Sequence, residues 1–579
     1  MTRLGALIVL LCIVVSVDGS LRLASAEWPT DPNVNLPIAT VPYQQIIPDM
    51  APDGFGGFIV VWEGWRDSNT YWDIFAQRIT LNGNSQWMAN GIQVSSASGF
   101  EVHARVVQCD DASVIVAWSG DLLDTDYDIY AQRIDAFGNP MWDARGVPIC
   151  TASGDQDSLA IVSDGAGGAI VMWRDHRLFG TSKSDLFAQR ISSSGVTQWQ
   201  PDGVAVCTAP GEQKHLRAVP DGNGGASISW EDWRNIPTSG SDIFVQRIAA
   251  NGVPYWPVNG VAACDHSGWQ RSPSIAAAGD DVVMVWQDDR NPEGIFAQRI
   301  SSSGNQLWVD DGVVVCALNG TQTDATVIPA GAGGVYVAWA DARNGNPGDI
   351  YAQRIDALGV SIWAPNGVPV CLAAGVQSGP KIVSDNAGGL IVGWKDYRAG
   401  STADIYAQRV RPNGAVAWTS NGVAISTAAN AQLDHTMLPD GLGGAFFAWE
   451  DHRQGGALGE HHIYCQRADS TGILSTPTAV QDRSPSLSGL QLGAPIPNPT
   501  GDVVRVPLQL QSDSAVEVRV YDVRGKEVWS RGVASFKAGE TMITVPGIDR
   551  AGRSLPQGVY FVTAKSNGNV VTQKFTIVR

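Results

Sequence analysis

The apolar positions of this chain fall in short runs of four to eight residues, not in helical stripes, and Gly, Asn, Asp or Pro bounds each run. Between residues 368 and 410 the runs are Val368 to Cys371, Pro380 to Ser384, Leu390 to Trp394 and Asp404 to Val410. Asp385-Asn386-Ala387-Gly388-Gly389 joins the second to the third, and its glycines supply the positive φ of a tight hairpin. The same grammar recurs along the chain. A Gln-Arg pair occurs eight times, at Gln77, Gln132, Gln189, Gln246, Gln298, Gln353, Gln408 and Gln466, with a pitch of 52 to 58 residues. A first Trp precedes each pair, from Trp62 to Trp449, and a second follows seven of them, from Trp87 to Trp418. Four residues after each second Trp stands a glycine, Gly91 through Gly422. Four antiparallel strands repeated eight times predict an all-β chain whose main body is an eight-bladed β-propeller, an open β-solenoid being the alternative.

The chain ends carry a trace of ring closure. The eighth copy lacks its second Trp and reads Gly472-Ile473-Leu474-Ser475 instead, while Trp28 stands ahead of a strand-like Leu36-Pro37-Ile38-Ala39. The N-terminal segment is therefore expected to complete the last blade and hide its edge.

Spacing separates frame from loop. The Gln to the second Trp is always 10 residues, whereas the first Trp to the Gln runs from 12 (Trp286 to Gln298) to 17 (Trp449 to Gln466). Scaffold demands fixed spacing and binding loops tolerate change, so the loop between the third and fourth runs is the candidate binding loop. That loop and the loop between the first and second runs emerge on one face. Four tryptophans outside the repeat positions fall there: Trp65, Trp72 and Trp233 in the former, Trp269 in the latter. Aromatics with a polar edge on a rim suit stacking on sugars or anchoring a partner; capping the blade ends is their other use.

Most polar repeat residues read as structural, because a catalytic site needs one copy and these have many. Asp-x-Arg follows the first Trp in six copies, from Asp175/Arg177 to Asp451/Arg453, and an Asp such as Asp185 or Asp404 opens the fourth run. That Arg is expected to pair with the opening Asp across the hairpin. Two copies carry constellations of their own. The second carries Asp121, Asp124, Asp126 and Asp128, a candidate Ca²⁺ site without EF-hand spacing or glycine. The eighth carries His452, His461 and His462 in the longest loop, a candidate metal site or an exposed polar loop. No other cofactor is indicated, and no Ser/His/Asp set or carboxylate pair can be assembled.

Charge narrows the partners. A net charge of −18 over 579 residues leaves no basic surface for nucleic acid. Residues 1–26 read as a signal peptide: Arg3, an apolar run from Ala6 to Val17, and Ala24-Ser25-Ala26. The run is too short to span a bilayer, and no other segment is long and apolar enough. Of the seven remaining cysteines, Cys150, Cys207, Cys264, Cys316 and Cys371 share one repeat position. Equivalent places on separate blades are too far apart to pair, so buried thiols are expected, a bridge from Cys109 being the open alternative. There is no CxxC to hold zinc.

After residues 27–480 the repeat gives way to a Ser/Thr/Pro/Gly-rich linker at 481–494, then to a last unit at 495–579. Its short alternating strands (Val503 to Leu510, Ala515 to Tyr521, Thr541 to Val545, Gly558 to Ala564, Val570 to Val578) fit a small immunoglobulin-like β-sandwich. Its motifs are Ile496-Pro497-Asn498-Pro499-Thr500, Val520-Tyr521-Asp522-Val523-Arg524-Gly525-Lys526, Leu555 through Val562 and Lys574 through Arg579. With them the unit resembles the C-terminal sorting domains of type IX secretion substrates and the related immunoglobulin-like domain of flagellar hook-cap proteins. The resemblance implies export across an outer membrane, the secretion machinery as partner, and a secreted or cell-surface location. Gln377 through Arg398 resembles the repeats of sialidase-like propellers, yet the arginine triad, nucleophilic Tyr and acid Asp of that family have no match here. The expectation is a non-catalytic extracellular binding protein whose rim of Trp65, Trp72, Trp233 and Trp269 engages glycan or protein. The alternatives are a glycoside hydrolase or lyase, with an acidic pair facing a central pocket, and a surface scaffold without soluble ligand.

Overall fold

A computed structural model describes residues 28–475 and 490–577, apart from 66–71, 110, 122–125, 181, 237, 239, 344, 346–347, 456–458, 493–494, 496–502, 511–512, 523–525, 538, 550–551 and 567–568. The signal peptide read at 1–26 lies outside the described residues. Every regular element among the described residues is a strand, and none of them forms a helix long and apolar enough to cross a membrane.

Eight four-stranded antiparallel sheets form the body. Blade seven is typical: Gln377–Ser384 innermost, then Leu390–Asp396, Asp404–Val410 and, outermost, Val423–Ser426. The repeat read from sequence is thus offset from the blade by one strand. Val368–Cys371, the first run of its copy, is the outer strand of blade six, paired with Asp349–Ile355. Adjacent innermost strands touch all the way round, including Gln45–Pro52 of blade one against Gln432–Pro439 of blade eight. The ring is closed, which excludes an open solenoid.

Closure uses the N-terminal segment as expected. Leu36–Ala39 pairs with His462–Ala468 as the outer strand of blade eight. Trp28 takes the place of the missing second Trp: it is buried and its indole N–H donates to the Leu81 carbonyl at 2.8 Å, as Trp87 donates to Ala136 at 3.2 Å. Gln466 donates to the Pro29 carbonyl at 3.0 Å, where in other blades the Gln holds the connector after the second Trp.

The constant residues are explained by this frame. Gln408 donates to the Thr419 carbonyl at 2.8 Å and accepts the Trp418 backbone N–H at 2.8 Å, pinning the connector. Gly422 has φ +85°, and a Cβ there would stand 2.5 Å from the Trp394 ring. Trp394 donates to Asp396 at 2.7 Å, and Arg398 pairs with the same carboxylate at 2.6 Å, donates to the Asn421 carbonyl at 2.8 Å and lies 3.8 Å over the Tyr406 ring. The Arg therefore pairs with the Asp two residues before it, not with the Asp opening the next strand. Asp396 and Asp404 face each other as the last rung of the hairpin, and Arg398 folds back over the ring beside them. Burial, with Asp396 adding to it, pushes Asp404 up to about 6.

The C-terminal unit is a sandwich of two sheets: Leu490–Leu492, Val503–Leu510 and Gly539–Pro546 in one, Glu527–Phe536, Ser514–Asp522, Gly558–Ser566 and Asn569–Ile577 in the other. Val506, Leu508, Val518, Val520, Ile543 and Val562 belong to one core between them. Leu490–Leu492 is a strand inside the stretch read as linker. Glu527–Phe536 was not legible because it is an edge strand with little buried surface.

Candidate functional site: the central channel

All eight innermost strands carry the same irregularity. Their third residue has positive φ: Ile47 51°, His103 59°, Ser158 51°, His215 52°, Ser272 51°, Asp324 56°, Gly379 60° and Asp434 46°. The pairing register slips there in each blade, as Val102/Arg105 in blade two shows. A bulge re-aims side chains. Here the third and fifth residues of most inner strands line a central cavity of about 790 Å³.

These positions are as variable as the frame is constant. The fifth residues are Asp49, Arg105, Ala160, Arg217, Ser274, Thr326, Lys381 and Thr436. Arg105, Arg217 and Lys381 all line the cavity, and among the described residues none has a carboxylate within ion-pair distance. Arg105 and Arg217 donate only to the carbonyls of Ala104 and Leu216, at 2.7 and 2.8 Å. Solvent reaches these side chains, yet protein crowds them from every side. Loss of hydration, and the charge of Arg105, hold Arg217 below its ordinary range. Loss of hydration and both arginines do the same to Lys381. Burial pushes Asp49 up against the opposing pull of Arg105 and the Val106 N–H, 3.1 Å away.

The residue after each first Trp also varies, from Glu63 and Arg174 to Glu231 and Glu450. Glu63 accepts the N–H of the positive-φ His103 at 2.7 Å, and burial pushes it up to about 7. Glu231 accepts from Ser272 in the same way at 3.2 Å. It also meets His215 of the cavity wall at 3.0 Å and the Trp233 indole at 2.7 Å. Burial raises Glu231, but those hydrogen bonds outweigh it and leave the carboxylate below its usual range.

That chain ties one part of the rim to the lumen. The Lys214 ammonium lies 3.7 Å from the Trp233 ring centroid, Trp269 meets Trp233 edge-on at 5.6 Å, and Arg271 lies 4.9 Å over Trp269. Trp65 instead stacks on Tyr43 at 5.4 Å in blade one. The Trp72 carbonyl accepts the Glu101 N–H at 2.7 Å. All four tryptophans are half-buried. They form two groups, at blade one and at the junction of blades four and five, nearly opposite in the ring.

The described acids of the blade-two run accept local hydrogen bonds. Asp121 accepts from the Phe100 N–H at 2.5 Å, Asp126 from Gly154 at 2.8 Å and Asp128 from the Tyr130 hydroxyl at 3.3 Å. Asp124 lies outside the described residues. In blade eight, His452 and His461 stand together against Glu450, while His462 opens the third strand opposite Asp451. No disulfide joins the seven described cysteines, all of them buried, and burial pushes Cys150 up to about 12. The lumen residues escaped sequence reading. The signal was present: the second and fourth residues after the Gln that opens seven inner strands, and after Glu101 in the eighth case.

Comparison with known proteins bears on the two parts unequally. Residues 496–578 match the family of secretion system C-terminal sorting domains. No curated protein matches the chain. Among solved structures, an ulvan lyase is 10% identical with TM-score 0.40, covering 78% of this chain and 98% of its own. The α-L-arabinofuranosidase of Fusarium graminearum is 12% identical with TM-score 0.30, covering 56% and 98%. The endo-arabinase of Bacteroides thetaiotaomicron is 13% identical with TM-score 0.27, covering 44% and 92%. Likenesses this remote carry no argument about this chain.

Proposed function

From a chain that ends in a secretion sorting domain, and is therefore delivered outside the cell or onto its surface by the machinery that reads it, we propose an extracellular binding protein for acidic polysaccharide. One observation carries the reading: three cations at one register of the inner strands, Arg105, Arg217 and Lys381, share a cavity and have no carboxylate within ion-pair distance among the described residues. Three like charges crowded into one solvent-filled lumen repel one another, so such a set favours an anion that enters and supplies the missing acceptors. A cavity of about 790 Å³ admits a stretch of sugar chain and no folded protein. Trp233 and Trp269 stand half-buried at the adjoining rim, where Arg271 adds positive charge and Lys214 lies over Trp233 while paired with Glu212. The test is a titration of the mature protein with a uronate-rich or sulfated polysaccharide and with a neutral one of similar length. Binding confined to the acidic polymer is expected, weakened about tenfold or more by Trp233→Ala. Equal binding of the neutral polymer sinks the reading.

The pairing of cations with His103 and His215 in the same cavity favours one second reading, a lyase. Elimination at a uronate needs its carboxylate neutralised and an α-proton taken by a base. Growth of ultraviolet absorbance from an unsaturated product would select it; bound polymer recovered intact would leave binding alone.

A further inference from the structure

Blade eight differs from its siblings at the end of one hairpin. Asp451 and His462 form its last rung, so the next residues outward, His452 and His461, face each other across the loop. Their rings stack with centroids 3.7 Å apart. Glu450, two residues before His452, shares its side of the strand. One oxygen of Glu450, Oε1, lies 2.7 Å from His452 Nε2 and 2.8 Å from His461 Nδ1. Equivalent hairpins place Ser184 opposite His176 and Ser241 opposite Trp233, so the trio belongs to this blade alone.

Two further features separate this trio from an ordinary hydrogen-bonded cluster. Nδ1 of His461 is buried and makes no aligned hydrogen bond despite its short approach to the carboxylate. Glu450 is also fixed by the backbone N–H of Ile47 in the neighbouring blade, the kind of outer contact that orients a metal ligand. The ligand atoms all lie within 4.8 Å of one another. In a tetrahedral zinc site with bonds of about 2.0–2.1 Å, ligand atoms stand roughly 3.3 Å apart. The two carboxylate–imidazole spacings reach that value by opening about half an ångström, and the stacked rings must swing apart so that both lone pairs converge on the ion.

We propose that Glu450, His452 and His461 bind one divalent transition-metal ion of the zinc type, independently of the anion reading above. Two imidazoles with one carboxylate select zinc and its neighbours over calcium or magnesium, which take oxygen ligands. Three protein ligands leave a position open. His452 and His461 keep 24% and 22% of their side-chain surface exposed, so that position opens to solvent, where water or a ligand oxygen completes the shell. The sequence trio of His452, His461 and His462 is thereby corrected: the carboxylate Glu450 replaces His462, because residues two apart on one strand share a face and His462 belongs to the rung below.

The test uses tag-free mature protein stripped with chelator and titrated calorimetrically with zinc chloride, with metal content counted after dialysis. One zinc per chain is expected. His452→Ala and His461→Ala should each abolish that binding, and Glu450→Gln should weaken it at least about tenfold. His176→Ala, the same position in blade three, should leave it unchanged. Cobalt substitution of the unmutated protein should give the visible absorption of a low-coordinate site and needs no variant to fold. No stoichiometric zinc and no cobalt band, or binding undiminished in both histidine variants, would overturn the proposal.

Discussion

The frame and the lumen of the propeller are built from adjacent residues on opposite plans. Gln377 of blade seven recurs in seven blades and Trp394 in all eight, and in six of them the Trp indole donates to the Asp two residues on. Two strand positions from Gln377 the rule reverses, and Gly379 and Lys381 stand where other blades have His, Asp, Arg or Thr. Repetition specifies a ring because every junction must pack alike; a ligand site needs the symmetry broken. The bulge makes both hold at once, since it turns variable side chains into the channel without disturbing the hairpin that carries them.

The contrast can be broken first at its strongest point. Trp28→Ala should cost about 3–5 kcal/mol, read from the denaturant midpoint, because a fully buried indole at the seam is lost. A cost below about 1 kcal/mol would mean that the seam does not depend on it. Gly422→Ala should cost about 1–3 kcal/mol, from the positive φ and the contact with Trp394. His435 tests the border between the plans, being blade-specific yet buried. Burial and Lys381 hold it down to about 3 from an ordinary 6.5. The folded state then refuses a proton that the unfolded chain takes up below about pH 6.5, so stability is lost as pH falls from there toward 3. His435→Leu should flatten that acid limb in unfolding midpoints measured against pH. Smallest of all, Lys381→Gln should change stability by no more than about 0.5 kcal/mol, or raise it slightly, since it removes one of three like charges. A loss of several kcal/mol would put Lys381 in the frame.

What could be read from sequence follows the same division. Repetition made the blades visible: fixed spacing from Gln to Trp, glycines at the turns, and the eighth Trp displaced to Trp28. The pairing of Arg398 was misjudged because sequence gives two aspartates at comparable reach, Asp396 and Asp404, and only the fold-back over Tyr406 decides between them. The candidate site stayed hidden for a physical reason. Successive members of the set Arg105, Arg217 and Lys381 lie 112 and 164 residues apart and meet only when the ring closes. Trp233 and Trp269 were legible as spare aromatics; their link through Glu231 to His215 was not, because it passes across two strands of one blade and the loop of the next.

The most direct measurement is the affinity of an acidic polysaccharide for the native propeller and for Arg105→Gln/Arg217→Gln/Lys381→Gln. If the lumen cations hold the polymer, the triple variant should keep its unfolding midpoint and lose at least about 100-fold in affinity, since each charged hydrogen bond is worth about 1.5–3 kcal/mol. A folded triple variant that binds as tightly as the native protein would contradict the account.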